Sequence, residues 1–138
     1  MPAERKKIGA YFQNKPEVQG VFLFGSQARK RARPTSDIDL AVYLDASVPE
    51  TSYLEKRLQY LADLSRLIDP EPDVIILNEA PPVLTHQVLR YGKLLHEKNH
   101  HATTAFKARA MIDYVDWLPY KARLDASTLK HFRAPHGR

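Results

Sequence analysis

Residues 24–40 read Phe-Gly-Ser-Gln-Ala-Arg-Lys-Arg-Ala-Arg-Pro-Thr-Ser-Asp-Ile-Asp-Leu. In this stretch ten residues separate a Gly-Ser pair, Gly25 and Ser26, from an Asp-x-Asp pair, Asp37 and Asp39. The residues before the glycine are β-branched and aromatic, which predicts a buried strand that stops at a turn. A turn that can bind phosphate is therefore followed closely by two carboxylates that can hold a divalent metal ion, and this combination indicates nucleotide chemistry.

The two aspartates begin a predicted strand over residues 37–44. Strand side chains alternate between two faces, so residues two apart lie on the same side with Cα atoms about 6.5 Å apart. One face carries Asp37, Asp39, Ala41 and Tyr43, and the other carries Ile38, Leu40, Val42 and Leu44. Two carboxylates this close repel each other unless a cation lies between them. Oxygen ligands that leave positions for phosphate favour Mg²⁺, with Mn²⁺ as a substitute.

A third acid and the Gly-Ser turn would complete the site. Asp73, at the start of the next predicted strand, is the candidate for a two-metal arrangement with ions about 3.5–4 Å apart. Gly25 allows a sharp turn and a close approach to a ligand, and the hydroxyl and amide of Ser26 can bind terminal phosphate oxygens. Arg29 lies one turn further on, so we expect it beside the same phosphates.

The order of predicted elements is helix, strand, turn, strand, helix, strand, helix. One helix begins at a capping-box pair, Ser52 and Glu55. Its apolar positions recur at helical spacing and are Leu54, Leu58, Leu61, Leu64 and Ile68. Another helix opens at Pro82 and stops at Gly92, before a short strand over 93–96. This order predicts an α/β (α+β) fold in which helices cover one side of a small mixed sheet.

The C-terminal part is predicted to form a helical arm over about residues 102–132. Apolar residues at Phe106, Ala110, Tyr114 and Trp117 follow helical spacing. Pro119 then predicts a break, with a second helix from Tyr120 to Phe132. Tyr114, Trp117 and Phe132 are candidate anchors for a partner, and core packing is the other interpretation.

Length and composition predict one domain over 1–138, with a core at about 5–96. The chain has 138 residues and no cysteine, and its net charge of +5 indicates an anionic ligand or partner. No apolar run approaches the roughly 20 residues that a membrane span needs, so no membrane association is expected. Nothing resembles a secretory signal, and a cytoplasmic location is expected.

The Gly-Ser and Asp-x-Asp pairs together resemble the nucleotidyltransferase superfamily that includes DNA polymerase β and kanamycin nucleotidyltransferase. More narrowly, the chain resembles the minimal nucleotidyltransferases, the MntA-type antitoxins that pair with HEPN-domain ribonuclease toxins. The similarity extends to Asp73-Val-Ile-Ile-Leu-Asn-Glu-Ala-Pro-Pro and to Leu89-Arg-Tyr-Gly-Lys-Leu-Leu. It covers residues 5–96 well and the C-terminal arm loosely, and it implies a polymerase β-like nucleotidyltransferase fold.

The resemblance implies Mg²⁺-dependent transfer of AMP from ATP to a tyrosine hydroxyl of a cognate HEPN toxin, which silences the toxin's RNase activity. It implies that Asp37 and Asp39 hold two metal ions, and that Asp73 ligates one and helps to deprotonate the incoming tyrosine. Gly25 and Ser26 would bind the β- and γ-phosphates. The implied partners are ATP and the toxin, in a hetero-oligomeric complex that requires no nucleic acid.

One residue departs from the family pattern. Many relatives have a glycine after the Ala-Arg step, whereas Ala28 and Arg29 are followed here by Lys30. The missing glycine leaves the shape of the phosphate loop open but removes no ligand.

Three other functions are compatible with the sequence. His96-Glu97-Lys98-Asn99-His100 fits the His-Glu-x-x-His pattern of zinc peptidases, although Gly92 and the strand predicted after it oppose a helix there. A second possibility is an antitoxin that neutralises its toxin by binding alone. The third is nucleotidyl transfer to a small molecule or RNA, for which the roughly forty residues after the core leave little room for an acceptor domain.

Overall fold

The computed structural model describes residues 2–25, 38–69 and 72–136. The helices are α1 (Pro2–Gln13), α2 (Tyr53–Ser65), α3 (Pro82–Tyr91) and α4 (His100–His136). The strands are β1 (Val18–Phe24), β2 (Ile38–Leu44), β3 (Pro72–Ile76) and β4 (Lys93–Glu97). Short 3₁₀ turns at Glu50–Ser52 and Leu77–Glu79 precede α2 and α3.

The four strands form one mixed sheet in the order β3-β2-β1-β4. β1 pairs antiparallel with β2 and with β4, and β2 pairs parallel with β3. The parallel pair is joined by a crossover through α2, as parallel neighbours require. The predicted α+β class with a small mixed sheet is therefore confirmed.

Both faces of the sheet are covered by helices. On one face, Ile8 and Phe12 of α1 and Tyr60 and Leu64 of α2 pack against the buried side of β1, β2 and β3. On the other face, Phe22, Ala41, Leu77 and Val88 form a second cluster, with Phe106 of α4 packed against it. The prediction that helices cover only one side of the sheet was wrong. On the face of β2 that carries Asp39, the next two side chains are Ala41 and Tyr43, and these pack against the second layer of helices.

The predicted stripe along α2 is confirmed only in its second half, where Leu64 and the following Ile68 are buried and Leu61 packs against the core. Tyr53, Tyr60 and Leu64 are buried, whereas Leu54 is 63% and Leu58 is 53% exposed. The Ser52 side chain makes no capping hydrogen bond, so the predicted capping box does not form. In the first half of α2 the side that faces the sheet carries Tyr53 and Tyr60, and the neighbouring side with Leu54 and Leu58 faces solvent.

The C-terminal arm is one helix of 37 residues rather than two. Pro119 lies inside α4, so the predicted break there was wrong, although proline removes a backbone donor from the helix at that point. The ring of Tyr114 stacks on His86 of α3 at 3.8 Å, and Trp117 lies 6.0 Å from Tyr114. Tyr114 therefore contacts the domain, Trp117 lies beside it on the same helix, and the side chain of Phe132 is outside the described residues.

A buried hydrogen bond fastens α2 to the turn before β1. The fully buried Tyr60 hydroxyl donates to Glu17 Oε2 at 2.6 Å, and Lys56 Nζ lies 3.5 Å from the same oxygen. Burial raises the pKa of the Glu17 carboxyl, but the Tyr60 hydrogen bond, a backbone hydrogen bond and the interaction with Lys56 together lower it by more. The net pKa is below its ordinary value of 4.5.

We expect Tyr60→Phe to lower the free energy of unfolding by about 1–3 kcal/mol at neutral pH, because it removes a buried hydrogen bond to a charged acceptor. Since the folded pKa of Glu17 is lowered, this stabilisation is present above pH 4.5 and is lost as the pH falls through the folded pKa. Urea unfolding at neutral and acid pH measures the difference, with the exposed Tyr120→Phe as the control. A difference between wild type and Tyr60→Phe that does not shrink in acid would contradict this assignment.

Candidate active site

Two acidic residues from neighbouring strands meet on one face of the sheet. Asp39 of β2 is the register partner of Asp73 of β3, and the two strands run parallel. Adjacent strands lie about 4.8 Å apart, and paired residues point to the same side. Asp39 is partly buried, whereas the side chain of Asp73 is 59% exposed. The structure thus brings together the second acid of the Asp-x-Asp pair and the predicted third acid.

Gly25 packs directly against the first of these carboxylates. It has a φ of 77°, in the left-handed region that favours glycine. A Cβ atom added at Gly25 would lie 2.3 Å from Asp39 Oδ2, a distance that no side chain can occupy. Phe24, the preceding residue, is the register partner of Asp39 on β1. The turn after β1 therefore packs directly against the Asp39 carboxylate. Residue 25 must be glycine for two reasons, its positive φ and the lack of space for a Cβ atom beside Asp39.

Arg57 of α2 is a site residue that the sequence did not indicate. Its Nη2 lies 3.6 Å from Asp73 Oδ1, and its Nε donates to the carbonyl oxygen of Val74 at 2.6 Å. The Asp73 Oδ1 atom also accepts from the Val74 amide at 2.9 Å. Arg57 comes from the helix on the opposite face of the sheet and reaches around the β3 edge, so no spacing in the sequence connects it to the acids.

Four of the residues discussed for the phosphate and metal site lie outside the described residues: Ser26, Arg29, Lys30 and Asp37. Their roles stay predictions. In the described ranges no cluster of three or more His, Cys, Asp or Glu side chains could hold a metal ion. Asp39 and Asp73 nevertheless fit a hard divalent cation, since both supply carboxylate oxygens to one face of the sheet.

The His-Glu-x-x-His segment does not have the geometry of a zinc peptidase motif. His96 and Glu97 end β4, and α4 begins only at His100. A zinc peptidase motif needs both histidines on one face of a single helix. His100 Nδ1 instead lies 2.9 Å from Glu97 Oε1, as a local contact across the strand-to-helix junction. Burial lowers the pKa of His96.

Comparison with known protein families agrees with this geometry. The family model described as polymerase beta, nucleotidyltransferase, matches residues 6–101. The chain belongs to this nucleotidyltransferase family. The resemblance seen in the sequence is thus confirmed at the level of the family.

Across the described ranges, no helix combines the length and apolar character needed to cross a membrane.

One curated relative is the protein adenylyltransferase MntA of Shewanella oneidensis. It is 32% identical over 92 residues, and the match covers 67% of this chain and 63% of the relative. The chain thus matches somewhat less than two thirds of that relative's length.

Solved structures of toxin–antitoxin complexes share the fold. A toxin–antitoxin crystal structure with AMP-PNP matches with a TM-score of 0.73 and 25% identity, over 90% of this chain and 98% of the other. A tri-AMPylated HEPN toxin of Shewanella oneidensis in complex with MNT antitoxin matches with a TM-score of 0.69. That match has 23% identity, covers 92% of this chain and 98% of the other, and shows the fold alone.

Proposed function

We propose that this chain is an antitoxin that transfers AMP from ATP to a tyrosine hydroxyl of a cognate HEPN ribonuclease toxin. The observation that carries the proposal is the pairing of Asp39 with Asp73 on adjacent parallel strands, with Gly25 packed against Asp39. The family and the likeness to an adenylyltransferase antitoxin support the choice of reaction. The likeness to a toxin–antitoxin structure with AMP-PNP supports ATP as the donor.

One group of residues is assigned to the donor nucleotide and another residue, Asp73, to the acceptor hydroxyl. In this proposal Gly25 and Ser26 bind the β- and γ-phosphates, Arg29 is a further phosphate-binding residue, and Asp37 and Asp39 are metal ligands. Asp39 and Asp73, together with Asp37, would hold Mg²⁺, which when bound neutralises charge on the phosphates. Asp73 is exposed at the edge of the sheet, where it can accept the proton of an incoming hydroxyl.

The transfer step balances without a further reactant. The phenolic oxygen forms a bond to the α-phosphorus of ATP, while the bond from that phosphorus to the oxygen bridging to the β-phosphate breaks. Pyrophosphate leaves with the electron pair, and the phenolic proton passes to the Asp73 carboxylate. The toxin then carries an AMP ester on its tyrosine.

The long helix α4 provides a surface that suits a protein partner. Beyond Ala110 three large apolar side chains at helical spacing are exposed: Met111 is 52%, Val115 is 53% and Leu118 is 39% exposed. Residues at positions i, i+4 and i+7 lie on one side of a helix. This stripe replaces the aromatic residues Tyr114 and Trp117 as the candidate contact with the toxin.

The test is to incubate the purified chain with Mg²⁺, α-labelled ATP and the toxin encoded beside it. We expect the label to appear on a toxin tyrosine and the RNase activity to fall in parallel. Neutralisation without label on the toxin would favour the binding-only antitoxin. Label on RNA or on a small molecule, with none on the toxin, would favour the other nucleotidyltransferases.

A further inference from the structure

A cleft lies beside the exposed acid of the site. It has a volume of about 260 Å³ and opens at the β3 edge of the sheet. Ile75, Pro81 and Leu84 provide apolar walls, and the charged residues Arg57 and Glu79 line it as well. This volume suits a single aromatic side chain rather than a nucleotide with its phosphates. A second cavity of similar size, between α3 and α4, has no carboxylate among its lining residues.

The cleft lies at the β3 edge and is lined by Ile75, on the face of β3 that carries Asp73, and by Ile76, on the other face. Ile75 follows Asp73 by two residues, so its side chain lies on the same face about 6.5 Å further along the strand. Arg57, which lines the cleft, has its Nη2 atom 3.6 Å from Asp73 Oδ1, so a ring that rests on Ile75 lies close to the Asp73 carboxylate. The Asp73 side chain is exposed and can meet a group that enters from this side.

Two side-chain hydrogen bonds stabilise the turn that leads into the cleft residues Ala80 and Pro81. Asn78, in the 3₁₀ turn after β3, accepts from the Leu44 amide at 2.7 Å and donates to the Leu44 carbonyl oxygen at 2.9 Å. These two hydrogen bonds extend the backbone pattern of β2 through a side chain. They fix the turn that leads into Ala80 and Pro81, so the cleft exists before any ligand binds.

Arg57 lies at the β3 edge, where a ligand would enter the cleft. Its Nε donates to the carbonyl oxygen of Val74 on β3, so a peptide that added as a further strand would have to share this acceptor with Arg57. The planar guanidinium at the wall of the cleft is a group that stacks well on aromatic rings.

We propose that this cleft binds the ring of the acceptor tyrosine and presents its hydroxyl to Asp73. The inference rests on the proposed function and adds the position of the acceptor to it. Arg57 is then a positioning residue with two tasks: it contacts the Asp73 carboxylate and forms one wall for the ring. The nucleotide side of the site, at Gly25 and Asp39, is separate from this cleft.

Filling the cleft tests the proposal. Ala80 lines the cleft, and Ala80→Leu should occupy part of its volume. We expect this variant to lower kcat/KM for AMP transfer to the toxin at least about tenfold, chiefly through KM. Calorimetric affinity for AMP-PNP with Mg²⁺ should stay within about twofold. Ala10→Leu, on the exposed side of α1, is the matched control and should leave both values unchanged.

A crosslinking measurement keeps the proposal testable if Ala80→Leu does not fold. Glu79 is exposed at the rim, so Glu79→p-benzoylphenylalanine should be tolerated, and the same photoreactive residue at Ala10 serves as its control. In the complex with toxin and AMP-PNP, irradiation should link position 79 to the toxin peptide that AMP modifies. Links from position 79 to other peptides only would overturn the proposal, as would normal toxin kinetics for a folded Ala80→Leu. A wild-type chain that transfers no AMP to the toxin would instead reject the proposed function, and the cleft assignment with it.

Discussion

Asp39→Asn is expected to slow the transfer of AMP to the toxin by at least about a thousandfold, equivalent to several kcal/mol of lost electrostatic stabilisation. Asparagine keeps the shape of the side chain but removes the negative charge. Asp39 is the carboxylate that Gly25 contacts and that Asp73 pairs with in register, so no other described acid can take its place. Single-turnover transfer from α-labelled ATP measures the loss.

Two further measurements separate a chemical effect from a structural one. The thermal unfolding midpoint of Asp39→Asn shows whether the variant is folded at the assay temperature, so that a lower rate can be assigned to the chemistry. The toxin should still bind, because α4 is unchanged. Glu55→Gln, an exposed carboxylate-to-amide change on α2, is the matched control and should retain full activity. Full transfer activity in Asp39→Asn would remove this carboxylate from the catalytic machinery.

Gly25→Ala is expected to lower the transfer rate by about a hundredfold, since small displacements of catalytic groups have effects of this size. The new Cβ atom cannot lie 2.3 Å from Asp39 Oδ2, so either the carboxylate or the turn must move. The backbone φ of 77° adds a cost of about 1–2 kcal/mol to the folded state. Transfer kinetics and urea unfolding together measure both effects.

The same strand provides the control. Gly20→Ala places its Cβ atom 3.6 Å from the nearest atom, the His96 carbonyl oxygen, which is an ordinary contact. This variant should keep its activity and lose little stability. If Gly25→Ala kept wild-type activity, then the packing of the turn against Asp39 would have no role in the reaction.

The sequence predicted the strands better than it predicted the packing of the helices. Alternation along β2 correctly separated Asp39 from the apolar face, because a strand has a repeat of two and its faces are easily distinguished. Whether Asp73 lies beside Asp39 depends on strand order and parallel register, which a single sequence does not contain. Asp73 was predicted as the third acid from its position at the start of the next strand, and the resemblance to a family supported that choice; in the structure it is the register partner of Asp39.

The errors have a common physical origin. Leu54 and Leu58 fit the helical repeat of α2 but are exposed, because periodicity defines a stripe and not the element that it faces. Arg57 contributes through contacts with another element, and its contacts appear only once α2 lies beside β3. Pro119 was expected to end a helix, a local rule that α4 does not follow.

The strand order has a consequence for how such proteins can diversify. The acid proposed to act on the nucleotide belongs to β2, which is held on both sides by neighbouring strands, whereas the acid proposed to meet the acceptor belongs to β3 at the sheet margin. If these assignments hold, substitutions around β3 and the turn that follows it can alter which acceptor is modified without changing the nucleotide-binding residues on β1 and β2. A lineage built on this fold can change its target protein while it keeps its chemistry.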